Sequence, residues 1–124
     1  MAATILIVDD SATMRALVRR ALEADGHAVV EAVHGKAALA ELAATAVELV
    51  VTDVIMPEMD GITLVQAIRT DARLRNLPVL ILSTEATTTV KERGRAAGAT
   101  GWLVKPFHPD TLRQTVRRVL AERA

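Results

Sequence analysis

The 124-residue sequence contains no cysteine and no tyrosine, and its only aromatic residues are Trp102 and Phe107. The absence of cysteine excludes disulfides, thiolate nucleophiles and cysteine-bound metals. Fifteen basic and fifteen acidic residues cancel, so the chain lacks the basic excess that usually accompanies binding to nucleic acid or anionic membranes. No apolar run approaches the roughly 18 residues of a membrane span, and the N-terminus lacks a signal-peptide pattern.

These absences predict a cytoplasmic protein with no nucleic-acid or membrane partner. A chain of 124 residues is long enough for one hydrophobic core and leaves little room for a second. We therefore expect a single domain over residues 1–124, and we expect it to be a monomer.

Short apolar runs alternate with amphipathic segments five times along the chain. The runs are rich in Val, Ile and Leu and are mostly unalternating, as in strands buried on both faces: Ile5–Val8, His27–Ala32, Leu49–Thr52, Val79–Leu82 and Gly101–Val104. The segments after each run have helical spacing: Met14–Leu22, Gly35–Thr45, Leu64–Ile68, Ala86–Gly98 and the segment that Pro109 opens. Strands alternating with helices predict right-handed βαβ units, and hence an α/β fold of the (βα)5 type with a doubly wound parallel five-stranded sheet.

The predicted helix over Ala86–Gly98 differs from the other four. It contains three threonines and Gly94, and a glycine inside a helix costs about 1 kcal/mol relative to alanine. We expect this helix to be the least stable of the five. Elements of low stability are those from which conformational switches are drawn.

Polar residues follow four of the predicted strands, at the point where each strand ends. Asp9 and Asp10 end the first, Asp53 the third, Ser83 and Thr84 the fourth, and Lys105 the fifth. In open parallel sheets ligands bind beyond the carboxyl ends of the strands. Three carboxylates there would repel one another by about 10 kcal/mol before screening, and a bound Mg²⁺, which prefers oxygen ligands, would reverse that repulsion. Alternatively, Asp9 or Asp10 caps the following helix.

A metal at this edge would allow one carboxylate to act as a nucleophile toward phosphorus, since aspartate forms aspartyl-phosphates. The metal and Lys105 would neutralise the phosphoryl oxygens, and the Ser83 hydroxyl would hydrogen-bond the transferred group. The strand ends therefore supply one residue type for each role in phosphoryl transfer.

Four segments resemble the receiver domains of two-component response regulators, in particular the chemotaxis CheY type. They are VDDSATMR at Val8–Arg15, TDVIMPEMDG at Thr52–Gly61, LSTEA at Leu82–Ala86 and AGATGWLVKPF at Ala97–Phe107. Each motif is weak alone, but the four occur in order, at matching spacing, and cover four of the five predicted strand ends. The resemblance implies the flavodoxin-like strand order 2-1-3-4-5.

The resemblance also implies a role for each site residue. Asp53 would be the phosphoacceptor. Asp10, Asp53 and the backbone carbonyl of Ile55 would bind Mg²⁺, while Asp9 would act through water. Lys105 would pair with phosphoryl and carboxylate oxygens.

The remaining implied roles concern the switch and its output. Ser83 would contact the phosphoryl group, and Trp102 would occupy the aromatic switch position. The Lys105–Pro106 peptide would be cis. A sensor histidine kinase, in chemotaxis the kinase CheA, would donate the phosphoryl group, and with no effector domain attached the output would be a protein contact such as the flagellar motor switch. The domain would not be an enzyme in the usual sense, because it would catalyse only its own phosphorylation and dephosphorylation.

Alternative interpretations remain open at this point. The chain could be a stand-alone phosphorelay intermediate or a phosphorylation-independent interaction module. A phosphatase of the haloacid dehalogenase type is disfavoured, because it needs a second aspartate two residues after the nucleophile and Ile55 stands there. Trp102 could simply fill the core, the basic face of the last helix is either solvated or a docking surface, and the three histidines are interpreted as structural.

Overall fold

The computed structural model describes residues 2–84 and 87–123, with the backbone alone for Arg123. Five strands alternate with five helices along this part of the chain: β1 (Thr4–Val8), α1 (Ala12–Glu23), β2 (Ala28–Ala32), α2 (Gly35–Ala44), β3 (Leu49–Thr52), α3 (Gly61–Thr70), β4 (Val79–Ser83), α4 (Thr88–Ala97), β5 (Gly101–Val104) and α5 (Pro109–Arg123). The predicted start of the fourth helix, Ala86, and the last two residues of the LSTEA motif lie outside the described residues.

The five strands form one parallel sheet in the order β2-β1-β3-β4-β5. The predicted fold class and strand order are therefore confirmed. Strand bounds differ from the sequence-based prediction by one residue at three places: β1 begins at Thr4, β2 begins at Ala28 rather than at His27, and β4 extends to Ser83. The extension matters, because it makes Ser83 part of the sheet rather than of the following loop.

Both faces of the sheet are buried, and the strand period of two divides the core into two layers. Leu6 and Val8 of β1 face the layer that holds the buried side chains of α2 and α3, with Val90 and Ala97 of α4 packed against it. Ile5 and Ile7 face the layer built from α1 and α5. This two-sided burial explains why the strands are nearly continuous apolar runs, with most of the polar residues of the sheet at or beyond the strand ends.

The helices begin at side-chain caps that the local sequence supplies. Ser11, His34, Asp60 and Thr87 each accept a hydrogen bond from the backbone N–H three residues later, which satisfies one of the free N–H groups of the first turn. The alternative that Asp9 or Asp10 is the N-cap of α1 is wrong, because Ser11 is. Both acidic residues are therefore available to the edge of the sheet.

Helix α4 buries fewer residues than any of the other four helices of the described chain. Its only buried residue is Gly94. Its C-terminal end is held by Arg69 of α3, whose Nε donates to the carbonyl of Gly98 at 3.0 Å, and Gly98 adopts a positive φ of 106°. The expectation that α4 is the least stable helix stays a prediction, and its small buried surface is in keeping with it.

Among the described residues, no helix combines the length and the apolar character that crossing a membrane requires.

His27 is buried just before β2 and is held by the backbone. It is 5% exposed, and its Nδ1 accepts a hydrogen bond from the N–H of Ala3 at 3.1 Å. An accepting Nδ1 places the proton of the neutral ring on Nε2. Within the described part of the chain, Nε2 is buried and has no hydrogen-bond partner, and burial lowers the pKa of His27 below its usual 6.5.

This burial predicts a loss of stability in mild acid. Because the pKa is lower in the folded state, the unfolded chain takes up a proton first as the pH falls through about 6.5, and the free energy of unfolding decreases below that pH. Denaturant titrations at pH 7.5 and 5.5 should show a smaller decrease for His27→Asn, whose amide oxygen can still accept from Ala3. An equal decrease in both proteins would contradict the prediction.

Candidate functional site

Three carboxylates meet at the carboxyl edge of the sheet. Asp9, Asp10 and Asp53 each place a carboxylate oxygen within 4.8 Å of the other two. The sheet positions them, since the N–H of Asp9 donates to Ala32 at 3.1 Å and the N–H of Asp53 donates to Val8 at 2.9 Å. At this separation each pair of charges repels by about 3 kcal/mol at an effective dielectric of 20. The cluster is therefore built to attract a cation.

Lys105 supplies part of the compensating charge. Its Nζ donates to Asp9 Oδ2 at 2.8 Å and to Asp53 Oδ2 at 3.0 Å. The Lys105 side chain is 9% exposed. Burial alone would lower the pKa of Lys105, but the hydrogen bonds to the two carboxylates outweigh it and hold that pKa above its usual value. The lysine is thus charged at neutral pH and neutralises one of the three carboxylates.

Asp53 is held rigidly by its own backbone surroundings. Its Oδ1 accepts from the N–H of Val54 at 2.7 Å, and its carbonyl accepts from Thr52 Oγ1 at 2.9 Å. Gly61, the first residue of α3, lies against the same carbonyl, and a Cβ at this position would come within 1.9 Å of it. Only glycine lets the start of α3 approach so closely. The Asp53 side chain keeps 14% exposure, enough for a small group to reach it.

Asp9 and Asp10 differ in how their oxygens are used. Asp9 is buried, and its Oδ1 accepts from the N–H of Ser11 at 2.9 Å while Oδ2 binds Lys105. Asp10 is exposed. The Asp10 carboxylate therefore faces the solvent with its lone pairs available, whereas both Asp9 oxygens already have protein donors.

Ser83 and Trp102 lie on the side of the sheet that α4 covers. In the β4–β5 register Ile81 pairs with Trp102 and Ser83 with Val104, so all four side chains share one face. Ser83 is fully buried, and its carbonyl accepts from the N–H of Lys105 at 2.9 Å. This backbone hydrogen bond joins the candidate switch residue to the residue that binds the acidic cluster.

The indole of Trp102 packs between the sheet and α4. It is half-buried and joins the core layer of α2 and α3. A Cβ at Gly94 would lie 2.7 Å from its Cζ3 and 3.1 Å from Ile81 Cδ1. Its Nε1 is buried and has no hydrogen-bond partner among the described residues. Trp102 does contact the core, as the alternative interpretation expected, and it does so at the surface of α4.

Two further predicted positions complete the edge. The Lys105–Pro106 peptide bond is cis. Ile55, two residues after Asp53, has a side chain that is 61% exposed, so it points away from the core at the mouth of the site. Thr84 is exposed. Two basic residues of α5 pair with acidic neighbours: Arg117 binds Asp25 through two 2.7 Å contacts, and Arg113 binds Asp110.

The sequence-based reasoning assigned no role to several residues that shape the site. Thr52 and Gly61 fix the Asp53 carbonyl, and Gly94 makes room for the indole. Thr52 and Gly61 stood inside a quoted motif. The role of Thr52 depends on a hydrogen bond to the carbonyl of the next residue, and that of Gly61 on a close approach to Asp53, eight residues earlier in the chain. No composition or periodicity signal reports such an approach.

The comparisons with known proteins agree with this geometry. The family model for the response regulator receiver domain matches residues 5–117 of the sequence. The chain belongs to the response regulator receiver family. It is 37% identical over 118 residues to the chemotaxis protein CheY1 of Helicobacter pylori, covering 94% of this chain and 95% of that protein. It is 39% identical over 116 residues to the chemotaxis protein CheY of Pseudomonas aeruginosa, covering 93% and 94%.

Solved structures show the same relationship. The chemotaxis response regulator CheY4 of Vibrio cholerae superposes with a TM-score of 0.90 at 41% identity, covering 96% of this chain and 99% of that one. This receiver domain is therefore a phosphorylation-activated response regulator of a two-component system. Receiver domains are signalling switches rather than enzymes in the usual sense, and they interact with histidine kinases and downstream targets.

The donor set fits the Mg²⁺ that receiver domains bind. The oxygens of Asp9, Asp10 and Asp53 form the acidic group that could hold a metal, and Mg²⁺ is bound by one or two carboxylates together with water and phosphate oxygens. The cluster contains only oxygen donors, with no nitrogen or sulfur, which matches this hard cation.

The balance between Lys105 and the three carboxylates predicts a metal-dependent stability. Lys105→Met should lower the free energy of unfolding in EDTA by up to about 3 kcal/mol, because buried carboxylates lose their partner. Added MgCl₂ should raise the melting temperature of this variant more than that of the wild type, since the ion no longer competes with an ammonium group. Lys91→Met, which removes an exposed lysine of α4, is the control. If MgCl₂ raised the melting temperature of the wild type and of Lys105→Met by the same amount, the prediction would be contradicted.

The contact between Gly94 and Trp102 predicts a strong coupling between the two positions. Gly94→Ala should destabilise the wild type by about 1–3 kcal/mol through overpacking. In a Trp102→Val background the indole is gone and only the 3.1 Å approach to Ile81 Cδ1 remains, so the cost of the same change should be lower by about 1 kcal/mol or more, helped by the preference of alanine for the helix. A double-mutant cycle in denaturant measures the difference. The same cost in both backgrounds would show that the indole does not depend on the glycine.

Proposed function

We propose that this protein is a single-domain receiver of the chemotaxis type that accepts a phosphoryl group on Asp53 from a sensor histidine kinase, with Mg²⁺ required. The observation that carries the proposal is the constellation around Asp53: two further carboxylates within 4.8 Å and a lysine 3.0 Å from one of its oxygens. The chemotaxis assignment rests on the relatives named CheY, which are matched over nearly their whole length.

The proposed chemistry is a transfer between a nitrogen and a carboxylate oxygen. An Asp53 oxygen forms a bond to phosphorus, and the bond from phosphorus to the donor histidine nitrogen breaks, with the electron pair leaving on the imidazole. The Lys105 ammonium, which already binds Asp53 Oδ2, remains close to the phosphoryl oxygens and stabilises their charge. Hydrolysis reverses the outcome: water attacks phosphorus, and the Asp53 carboxylate leaves with its electrons, releasing inorganic phosphate.

Asp10, Asp53 and the carbonyl of Ile55 would hold the metal directly, and Asp9 would act through water. A bound Mg²⁺ supplies charge neutralisation between the carboxylates and the incoming phosphoryl oxygens. The direct role of Asp10 is supported by its exposed carboxylate. The indirect role of Asp9 is supported by its burial together with the protein donors on both its oxygens, whereas the Asp53 side chain, although it also has protein donors, keeps 14% exposure. Asp53 is oriented by its neighbours: the Val54 N–H binds its carboxylate, the Thr52 hydroxyl binds its carbonyl, and Gly61 packs against that carbonyl.

The proposed output is a change of the surface formed by α4, β5 and α5. Ser83 would respond to the phosphoryl group, and Trp102 would transmit the response because it shares a sheet face with Ser83 and contacts α4. A partner that prefers the phosphorylated form shifts the equilibrium by its differential affinity. We further propose that the phosphoryl donor is CheA and that the target is the flagellar motor switch. The protein would act as a monomer in the cytoplasm.

The decisive experiment is intact mass after incubation with acetyl phosphate and MgCl₂. The wild type should gain one phosphoryl group, and Asp53→Asn should gain none, because the amide is a poor nucleophile. EDTA should abolish the gain. The fluorescence of Trp102, the only tryptophan, should change under the same conditions in the wild type and not in Asp53→Asn.

No mass gain in the wild type would contradict the proposed chemistry. A phosphorylation-independent interaction module on the same fold would then be the better account, and partner binding insensitive to Asp53→Ala would support it. Transfer from phosphorylated wild type to a histidine-containing phosphotransfer protein would instead identify a phosphorelay intermediate.

A further inference from the structure

Arg15 of α1 contacts the acidic cluster through the backbone rather than through a carboxylate. Its Nη1 donates to the carbonyl oxygen of Asp9 at 2.7 Å, and its Nε donates to Glu31 Oε1 at 2.8 Å. The Arg15 side chain is 16% exposed. The guanidinium is therefore held between a strand residue and the peptide that joins Asp9 to Asp10.

That peptide determines where the Asp10 carboxylate points. The Asp9 carbonyl and the Asp10 Cα belong to one rigid plane, so a hydrogen bond to the carbonyl orients the bond from which the Asp10 side chain leaves. The Asp9 side chain has its own anchors in Ser11 and Lys105. Within residues 2–84 and 87–123, the Asp10 carboxylate has no hydrogen bond or ion pair of its own, so its orientation depends on its backbone.

Glu31 makes the contact electrostatically tolerable. A bare guanidinium next to a cation site would repel the cation, but Glu31 pairs with Arg15 at 2.8 Å and with Arg19 at 2.7 Å. Arg19 also pairs with Glu23 at 3.0 Å. The four side chains form a network with two positive and two negative charges. Burial opposes ionisation of Glu31, yet the hydrogen bonds from Arg19 and Arg15 lower its pKa, so the carboxylate stays charged.

We propose that Arg15, held by Glu31, is a positioning residue for the Mg²⁺ site, acting through the Asp9–Asp10 peptide to direct the Asp10 carboxylate at the ion. This inference rests on the proposed function of the acidic cluster. The donor geometry favours it over a purely electrostatic role, because the guanidinium donates to a carbonyl at 2.7 Å and not to any member of the cluster's carboxylates.

An electrostatic role and a positioning role of Arg15 predict opposite changes in Mg²⁺ affinity when the side chain is removed, so an experiment can separate them. If Arg15 acts only through its positive charge, its removal relieves repulsion and Mg²⁺ binds more tightly. If Arg15 positions Asp10, its removal weakens binding. Mutation of residues that orient metal ligands typically costs 10- to 100-fold in affinity, well above the effect of a charge that Glu31 already compensates.

The test is calorimetric titration of MgCl₂ into wild type, Arg15→Met, Arg15→Lys and Arg19→Met. The Kd of Arg15→Met for Mg²⁺ should rise about tenfold or more. Arg15→Lys keeps the positive charge but loses the planar guanidinium, which donates at once to the Asp9 carbonyl and to Glu31, so it should also bind Mg²⁺ more weakly. Arg19→Met is the matched control: it removes the other arginine on Glu31 but none on Asp9, and its Kd should stay within about twofold of the wild type.

A second readout separates positioning from general damage to the fold. At saturating Mg²⁺, the rate of phosphorylation by acetyl phosphate in Arg15→Lys should return close to that of the wild type, because the lost affinity is restored by concentration. An unchanged or lower Kd in both Arg15 variants, or a rise of equal size in Arg19→Met, would overturn the role of Arg15 and leave the proposed function intact. No Mg²⁺ binding by the wild type, or full binding by Asp10→Asn, would overturn both.

Discussion

The ammonium group of Lys105 lies between Asp9 and Asp53, at 2.8 and 3.0 Å, and much of the functional edge depends on that contact. It connects β5 to β1 and β3 across the intervening strand β4. Buried carboxylates without a partner are strongly destabilising, so the lysine allows the site to exist in the absence of a metal. One positive charge for three negative ones leaves an excess that only a further cation can compensate. The chain thus folds with its attraction for a metal already built in.

Around that contact, the backbone does most of the orienting. Asp53 is positioned by the Val54 N–H, by Thr52 and by the absence of a side chain at Gly61. Asp9 is held at its carboxylate by the Ser11 N–H and at its carbonyl by Arg15. Groups that must sit within a fraction of an ångström of a reacting phosphorus benefit from such anchors. Asp9 and Asp53 are accordingly held by several contacts each.

Helix α4 is packed less extensively than the other helices. Gly94 is its buried residue, and the indole of Trp102 is one of the sheet side chains that it contacts. The Lys105 N–H binds the Ser83 carbonyl, and Ser83 shares a face with Trp102. In the proposed switch, a change of charge at Asp53 would reach α4 through contacts that the structure contains: Lys105, the β4–β5 pair, the indole and the helix. A firm site next to a weakly held helix is what a switch of the proposed kind requires.

The sequence by itself determined the fold class, because strands buried on both faces must be continuous apolar runs and helices with one buried face must show the 3.6 period. It also determined which chemistry the edge could support, since the carboxyl ends of parallel strands must meet and Asp9, Asp10, Asp53, Ser83 and Lys105 stand at four of them. Only the tertiary structure decided how those groups divide the work. Three features depend on distances between chain segments. Both Asp9 oxygens accept from protein donors while Asp10 faces solvent, Gly94 and Trp102 pack closely, and Arg15 donates to the Asp9 carbonyl. Such distances depend on how distant segments pack against one another, and the periodicity of a segment reports only which of its faces is buried.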